Sequence, residues 1–208
     1  VTLYLDVERI KQESHSVECA VRKDSGDDPD VTNNVYVYAR AEKIDGEEIE
    51  LRGGAGIGIV TRKGLEQAVE EPAINWVPRQ MIREAVRSEC LSFGYHGGLA
   101  VTISIPEGVR LAGQTFNPRL GIKGGLSVLG TTGIVEPMSE QALIDTIRAE
   151  MRMLRAGGYD VCYVVPGNYG LDFLKETLGY QGDAAVKCSN HHGETIDAAA
   201  ELQMKGLL

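Results

Sequence analysis

The spacing of apolar and polar positions changes part-way along the chain, and the change predicts two architectures. Up to about residue 115, short stretches alternate as half-buried strands do: Ser16–Arg22, Val35–Ala41 and Leu99–Ile105, the last stopping at Pro106. Val1–Val7 is rich in strand formers, and Asp45-Gly46, between Val35–Ile44 and Glu47–Leu51, predicts a hairpin turn. One helix interrupts this pattern. Pro78 suits a first helical turn, and Met81, Ile82, Ala85 and Val86 then share a face.

From about Leu126 the period lengthens. Leu126–Leu129 reads as a short buried strand, followed by a helix that Ser139 caps and Gly157-Gly158 stops, with Leu143, Ile147, Met151 and Leu154 along one side. Tyr159–Val165 predicts a second strand. A helix follows through Phe173, Leu174 and Leu178 to Gly179, then a strand over Ala184–Lys187 and a helix over about Glu194–Met204. Leu207 opens a fourth strand. Strand and helix units of this length imply a parallel sheet with right-handed crossovers. The expected fold is an α+β N-terminal domain over 1–120, then an α/β domain with a parallel sheet over 121–208, with the boundary softest at 115–125.

Composition narrows the ligand. Hydrophobic residues make up 43% of the 208, enough for a buried core in one large domain or two small ones. A formal charge of −9 argues against nucleic acid and anionic lipid surfaces, and leaves an anionic small molecule where Arg and Lys cluster locally. No apolar run approaches the roughly 18 residues of a membrane helix, and no secretory signal is visible. Cys19, Cys90, Cys162 and Cys188 are far apart with no Cys-x-x-Cys pair, which reads as four reduced thiols in the cytoplasm. Homo-oligomerisation is left open. The start at Val1 and the strand-like Gly206-Leu207-Leu208 imply that both ends continue.

In a parallel sheet the loops leaving the carboxyl ends of strands share one edge, and ligands bind there. Three such loops are rich in Gly and small polar residues: Gly130-Thr131-Thr132-Gly133, Pro166-Gly167-Asn168-Tyr169-Gly170, and Ser189-Asn190 with Gly193. None matches a dinucleotide fingerprint or a P-loop. Gly53–Gly58, followed by Arg62 and Lys63, either cradles an anion through backbone amides or is a flexible loop. Asp24–Asp30 holds four carboxylates, either a cation or acid–base site or a solvated turn. Asn75 and Arg79 stand at a helix start, where anions are favoured, and Arg119 and Lys123 add cations. His191 and His192 are adjacent, which rarely chelates one metal, so no metal site is expected. No catalytic triad can be drawn, and Cys188 reads as a buried thiol before a nucleophile.

Several of these segments together resemble the CbiD family, the cobalt-precorrin-5B methyltransferases of the anaerobic cobalamin pathway. The matching stretches are Gly26–Thr32, Gly54–Gly58 with Val60-Thr61, Glu71–Asn75, Thr115–Gly121, Gly125–Ser139, Pro166–Gly170 and Val186–Asn190, so the likeness covers roughly residues 20 to 205. Asn117–Ser139 is the most specific block. Ala55 and His191-His192 depart from the family pattern, which has an acidic residue and an aromatic–aliphatic pair there.

The resemblance implies that the α/β domain is Rossmann-like and that the enzyme transfers a methyl group from S-adenosylmethionine to carbon 1 of an anionic tetrapyrrole. It places the cofactor at Gly130, Thr131, Thr132, Gly133, Pro166, Gly167, Asn168, Tyr169, Gly170, Ser189 and Asn190. The donor's carboxylate is then expected near amides of Gly133 or Gly167, and its ribose near Asn168. Arg62, Asn75, Arg79, Asn117, Arg119 and Lys123 become the substrate-binding candidates on the N-terminal side, and Asp27, Asp28 and Asp30 the acid–base candidates. In-line methyl transfer needs alignment more than a catalytic nucleophile. Two other readings stand beside it: a non-catalytic nucleotide- or nucleoside-binding module, and an oxidoreductase or lyase acting on a related tetrapyrrole.

Overall fold

The computed structural model describes residues 4–130 and 139–208. The chain divides into two units, Val1–Thr61 with Glu66–Pro137 and Arg62–Leu65 with Met138–Leu208.

The first unit is built on five strands: β1 (Glu8–Gln12), β2 (Ser16–Arg22), β3 (Tyr36–Ile44), β4 (Ile49–Gly53) and, after β5 (Ile59–Val60) and helix α1 (Trp76–Ser92), β6 (Gly98–Ser104). Their order is β1-β2-β3-β6-β4. Only β4 and β6 run parallel, joined by a crossover through α1. Alternation sorts the sheet's two faces. Val37 and Ala39 of β3 join Ile49 and Leu51 of β4 and Val101 and Ile103 of β6 in one apolar core, and α1 lays Ile82 and Val86 on it. The alternate positions of β3 make polar contacts: Tyr36 O–H donates to Glu8, Arg9 to Tyr38 O, and Arg40 to Glu13 and Ser16. The short helix α2 (Gly108–Leu111) adds Leu111 to the core, and β7 (Ile122–Lys123) pairs antiparallel with β5.

Three expectations change here. The described part of 1–7 is irregular, and the first strand starts at Glu8. Gly46 does turn the chain, at φ 93°, but β3 and β4 do not pair as a hairpin. The apolar β6 takes the central place between them and pairs with both. Residues 121–130, expected to open the second domain, pair with the first unit: Leu126 bridges to Ile57 and Val128 to Ile74. Leu126 is buried in the first core with Ile57 and Ile74, so it cannot lead the parallel sheet.

The second unit is mixed α/β with a parallel sheet. Helix α3 (Glu140–Ala156) starts at Ser139, whose hydroxyl accepts from the Ala142 amide at 3.3 Å, and ends at Gly157. Then come β8 (Val161–Val165), α4 (Asn168–Glu176), β9 (Ala185–Lys187), α5 (His192–Glu201) and β10 (Gly206–Leu207), with sheet order β10-β8-β9, all parallel. Helices cover both faces. Cys162, Val164 and Val186 pack with Ile147 and Met151 of α3 and Ala198 and Ala199 of α5. On the other face Tyr163, Val165 and Ala185 pack with Leu171 and Leu174 of α4. The segment Arg62–Leu65 also belongs to this unit: a side chain on Gly64 would stand 2.8 Å from the Met153 Cα of α3. No described helix is long and apolar enough to cross a membrane.

Candidate functional site

The carboxyl edge of the second sheet is assembled from two junctions. β8 runs through Pro166-Gly167 straight into α4, and β9 runs through Cys188–His191 into α5. Val165 lies opposite Lys187 in the parallel register, so both junctions leave at the same level. Two bonds tie them together: the Cys188 amide donates to the Val165 carbonyl at 2.9 Å, and Lys187 Nζ donates to Asn168 Oδ1 at 2.9 Å. Pro166, Gly167, Asn168, Tyr169 and Gly170 thus share an edge with Ser189 and Asn190.

Their surroundings differ. Tyr169 projects into solvent, 89% exposed. Gly170 lies against the sheet, where a Cβ would come within 2.8 Å of Val165 Cβ. Ser189 adopts φ 52°, and its hydroxyl donates to Asn190 Oδ1. At Gly167 a Cβ would meet nothing within 4 Å. The third predicted loop does not follow a strand of this sheet. Gly130 ends the Leu126–Leu129 stretch of the first unit, and Thr131, Thr132 and Gly133 lie outside the described residues.

Cys188 is fully buried, its Sγ 3.2 Å from His192 Nδ1, and burial pushes the thiol above its ordinary range. A thiol held protonated packs; it does not attack. His191 is buried too, and its carbonyl accepts from the Thr195 hydroxyl at 2.6 Å in the first turn of α5.

In the first unit, four polar candidates are spent on holding loops: Asn75, Arg79, Asn117 and Asp30. Arg79 donates through Nε to the Ile74 carbonyl at 2.7 Å and through Nη2 to the Pro72 carbonyl at 3.0 Å, with Glu71 at 3.4 Å. Asn75 accepts from Gln67 Nε2 at 3.3 Å, and the first free amide of α1, at Trp76, donates to Glu66. The α1 start is therefore closed by protein groups rather than open to an anion. Asn117 is only 6% exposed. Its Nδ2 donates to the Gly125 carbonyl at 3.0 Å and its Oδ1 accepts from the Ser127 hydroxyl at 2.8 Å, so it pins the 117–127 loop. That loop carries Arg119, in the turn after Phe116, and Lys123, exposed on β7. Arg62 is exposed and belongs to the second unit.

Gly53–Gly58 is a packing device. The amides of Gly54, Ile57 and Gly58 donate to the carbonyls of Ile103, Gly54 and Leu126, which leaves none of these three for an anion. The acidic stretch divides likewise. Asp24 accepts from the Gly26 amide at 2.9 Å, whereas Asp27 is exposed and Asp28 half-buried. Asp30 binds Lys23 and accepts from the amide and the hydroxyl of Thr32, both at 2.7 Å. Partial burial opposes its ionisation, but Lys23 and Thr32 outweigh burial and hold the carboxyl below the usual range.

Asp30 therefore adds stability that is complete above about pH 4, the unfolded carboxylate value, and is lost as pH falls through its lower folded value. Lys23→Met removes the main compensating charge. Acid unfolding followed by circular dichroism is expected to shift its midpoint to higher pH; an unmoved midpoint would show that Asp30 does not report on folding.

Sequence reasoning passed over Lys187, Gln67 and Glu66. Lys187 had a visible signal, a cation closing a predicted strand; the other two had none, since Gln67 acts on Ile74 seven residues on and Glu66 on Trp76 ten residues on.

The CbiD family model matches residues 1–137. The chain belongs to the CbiD family. Similar proteins include the cobalt-precorrin-5B C(1)-methyltransferase of Ruminiclostridium cellulolyticum, 48% identical over all 208 residues here and 54% of that protein. The enzyme of the same name from Moorella thermoacetica is 46% identical over this whole chain and 55% of its own. Among solved structures, the cobalamin biosynthesis protein CbiD of Archaeoglobus fulgidus is 25% identical, with a TM-score of 0.50 over 97% of this chain and 72% of that one. The chain spans about half the length of the curated relatives it matches.

Proposed function

We propose that the full-length protein is an S-adenosylmethionine-dependent methyltransferase that methylates carbon 1 of cobalt-precorrin-5B in anaerobic cobalamin biosynthesis. One observation carries this reading: 48% identity, along every residue of this chain, to a relative named for that reaction.

The second unit is read as a Rossmann-like donor-binding domain. Its sheet is parallel and covered on both faces, and ligands of such sheets sit at the carboxyl edge. The residues there fit a nucleoside sulfonium: Gly167 leaves open space beside the α4 start, and Asn168, Ser189 and Asn190 offer polar groups. When bound, S-adenosylmethionine supplies a methyl group on a positively charged sulfur, and its departure leaves a neutral thioether. The protein's task is to align the methyl with the ring carbon, to bind and to exclude water.

The first unit is read as the substrate side. Arg119 and Lys123 carry the positive charge that receives the tetrapyrrole's carboxylates. Asn117 shapes the loop that bears them, and Arg79 with Asn75 shapes the segment entering α1. Asp27 and Asp28 keep carboxylates available for acid–base work, whereas Asp30 is committed to Lys23. Four cysteines without a disulfide suit a reducing cytoplasm.

The test is label transfer. Full-length protein with methyl-labelled S-adenosylmethionine and the cobalt-precorrin is expected to place label in the corrinoid and raise its mass by one CH₂. An unlabelled corrinoid, with active control enzymes in the same assay, ends the proposal. A mass change of hydride size would instead mark an oxidoreductase.

A further inference from the structure

The α4 start carries charges of the wrong sign for a helix. The first turn of α4 contains no acidic residue, and no side chain caps it. Helix N-termini favour negative charge, yet the side chain fixed beside this one is a cation, Lys187, bonded to the neutral Asn168 at 2.9 Å. Among the described residues Lys187 forms no ion pair with any carboxylate. Arg155 and Lys205 of this unit both meet Asp160, and Arg148 meets Glu201; Lys187 instead has a neutral partner at the sheet edge. The protein as a whole carries a net charge of −9, so carboxylates are plentiful, and one is missing where it would stabilise most. A local electrostatic rule broken without compensation inside the protein marks a place where a ligand supplies the missing charge.

Lys187 also has the right position. It closes β9 opposite Val165, so it stands at the carboxyl edge itself. Alternation puts it on the same face as Ala185, the face that α4 covers. Asn168 uses its side-chain oxygen to hold Nζ, and an ammonium has two further protons to give.

We infer that Lys187, positioned by Asn168, is the specificity-determining residue that receives the carboxylate of the methyl donor's amino-acid end. This rests on the donor reading above and adds to it a charged partner where only backbone amides were expected. The bond is charge-assisted, which sets its weight.

Calorimetry on the full-length protein tests it with two ligands: S-adenosylhomocysteine, and its decarboxylated form, which keeps the nucleoside, sulfur and amine. The wild type is expected to prefer the first. Lys187→Met should weaken S-adenosylhomocysteine by about 10- to 100-fold and leave the decarboxylated ligand within about threefold, so that the preference collapses. Lys187→Arg should restore part of it. Asn168→Ala should give a smaller loss in the same direction, because Nζ is no longer held. The melting temperature of Lys187→Met should stay level or rise, since a cation leaves a helix N-terminus. Equal weakening of both ligands, or no change in either, overturns the assignment of Lys187 while leaving the donor reading intact. A wild type that binds neither ligand overturns both.

Discussion

Gly56→Ala will destabilise the first unit by roughly 4 kcal/mol or more, one of the largest effects expected of a single methyl group. Gly56 sits at φ +76°, and a Cβ built there would lie 1.7 Å from the Ile105 carbonyl oxygen. That oxygen is backbone and accepts from the Gly108 amide, so it cannot swing aside. The approach is mutual: a Cβ on Gly108 or on Gly125 would each come within 2.3 Å of the Gly56 carbonyl oxygen. Three turns that are distant in sequence meet backbone to backbone, and the Leu126 amide closes the packing by donating to Gly56 at 2.8 Å. Gly46→Ala is the control. It has φ +93° but open space around the added carbon, so only the left-handed penalty of about 1–2 kcal/mol applies. Urea denaturation of the two variants should separate them clearly. A Gly56→Ala loss no larger than that of Gly46→Ala would show that the backbone yields and that the three-way contact is slack.

Gly167→Val should abolish measurable donor binding, a loss above about 100-fold, while the fold survives. The fold has no use for a glycine at this position. Its φ of 172° is extended backbone open to any residue, and an added Cβ touches nothing. At a helix N-cap, valine in place of glycine costs about 1 kcal/mol at most. The room left by the absent side chain lies at the carboxyl end of β8, beside the amides that open α4, where the proposed donor sits. An isopropyl group fills that room. The measurement pairs S-adenosylhomocysteine calorimetry with thermal unfolding. Retained affinity in a stably folded Gly167→Val would place the donor elsewhere, whatever the family resemblance. Gly170→Ala is the structural counterpart: it meets Val165 at 2.8 Å and should lower stability first.

Several parts of this picture were legible in residues alone. β2 falls on the predicted Ser16–Arg22, the Ser139 cap and Gly157-Gly158 stop bound α3, and the strands ending at Val165 and Lys187 lie where their apolar runs placed them. These elements depend on neighbours within a few residues: a period, a cap, a glycine. The family was legible as well, because its motifs are runs of contiguous residues. Partnerships across long separations were not. Alternation cannot tell which strand lies next to which, so β6 between β3 and β4 came as a correction to a plausible hairpin. Nor could apolar content tell whether Leu126–Leu129 belonged to the second sheet or to the core around Ile57 and Ile74.

The site candidates follow the same division. Residue type marked Arg79, Asn117 and Asp30 as polar groups worth a ligand, and their bonds to Ile74 and Pro72, to Gly125 and Ser127, and to Lys23 and Thr32 turn them into internal fasteners. Lys187, inside the Val186–Asn190 family stretch but not among the site candidates, gains its interest from a single bond to Asn168, nineteen positions away. Local chemistry and periodicity are written into consecutive residues, so helices, strand ends and family could be read directly. Whether a polar side chain faces a ligand or a carbonyl depends on which distant backbone folds against it, and that is settled when the sheets assemble and bury one set of groups against another.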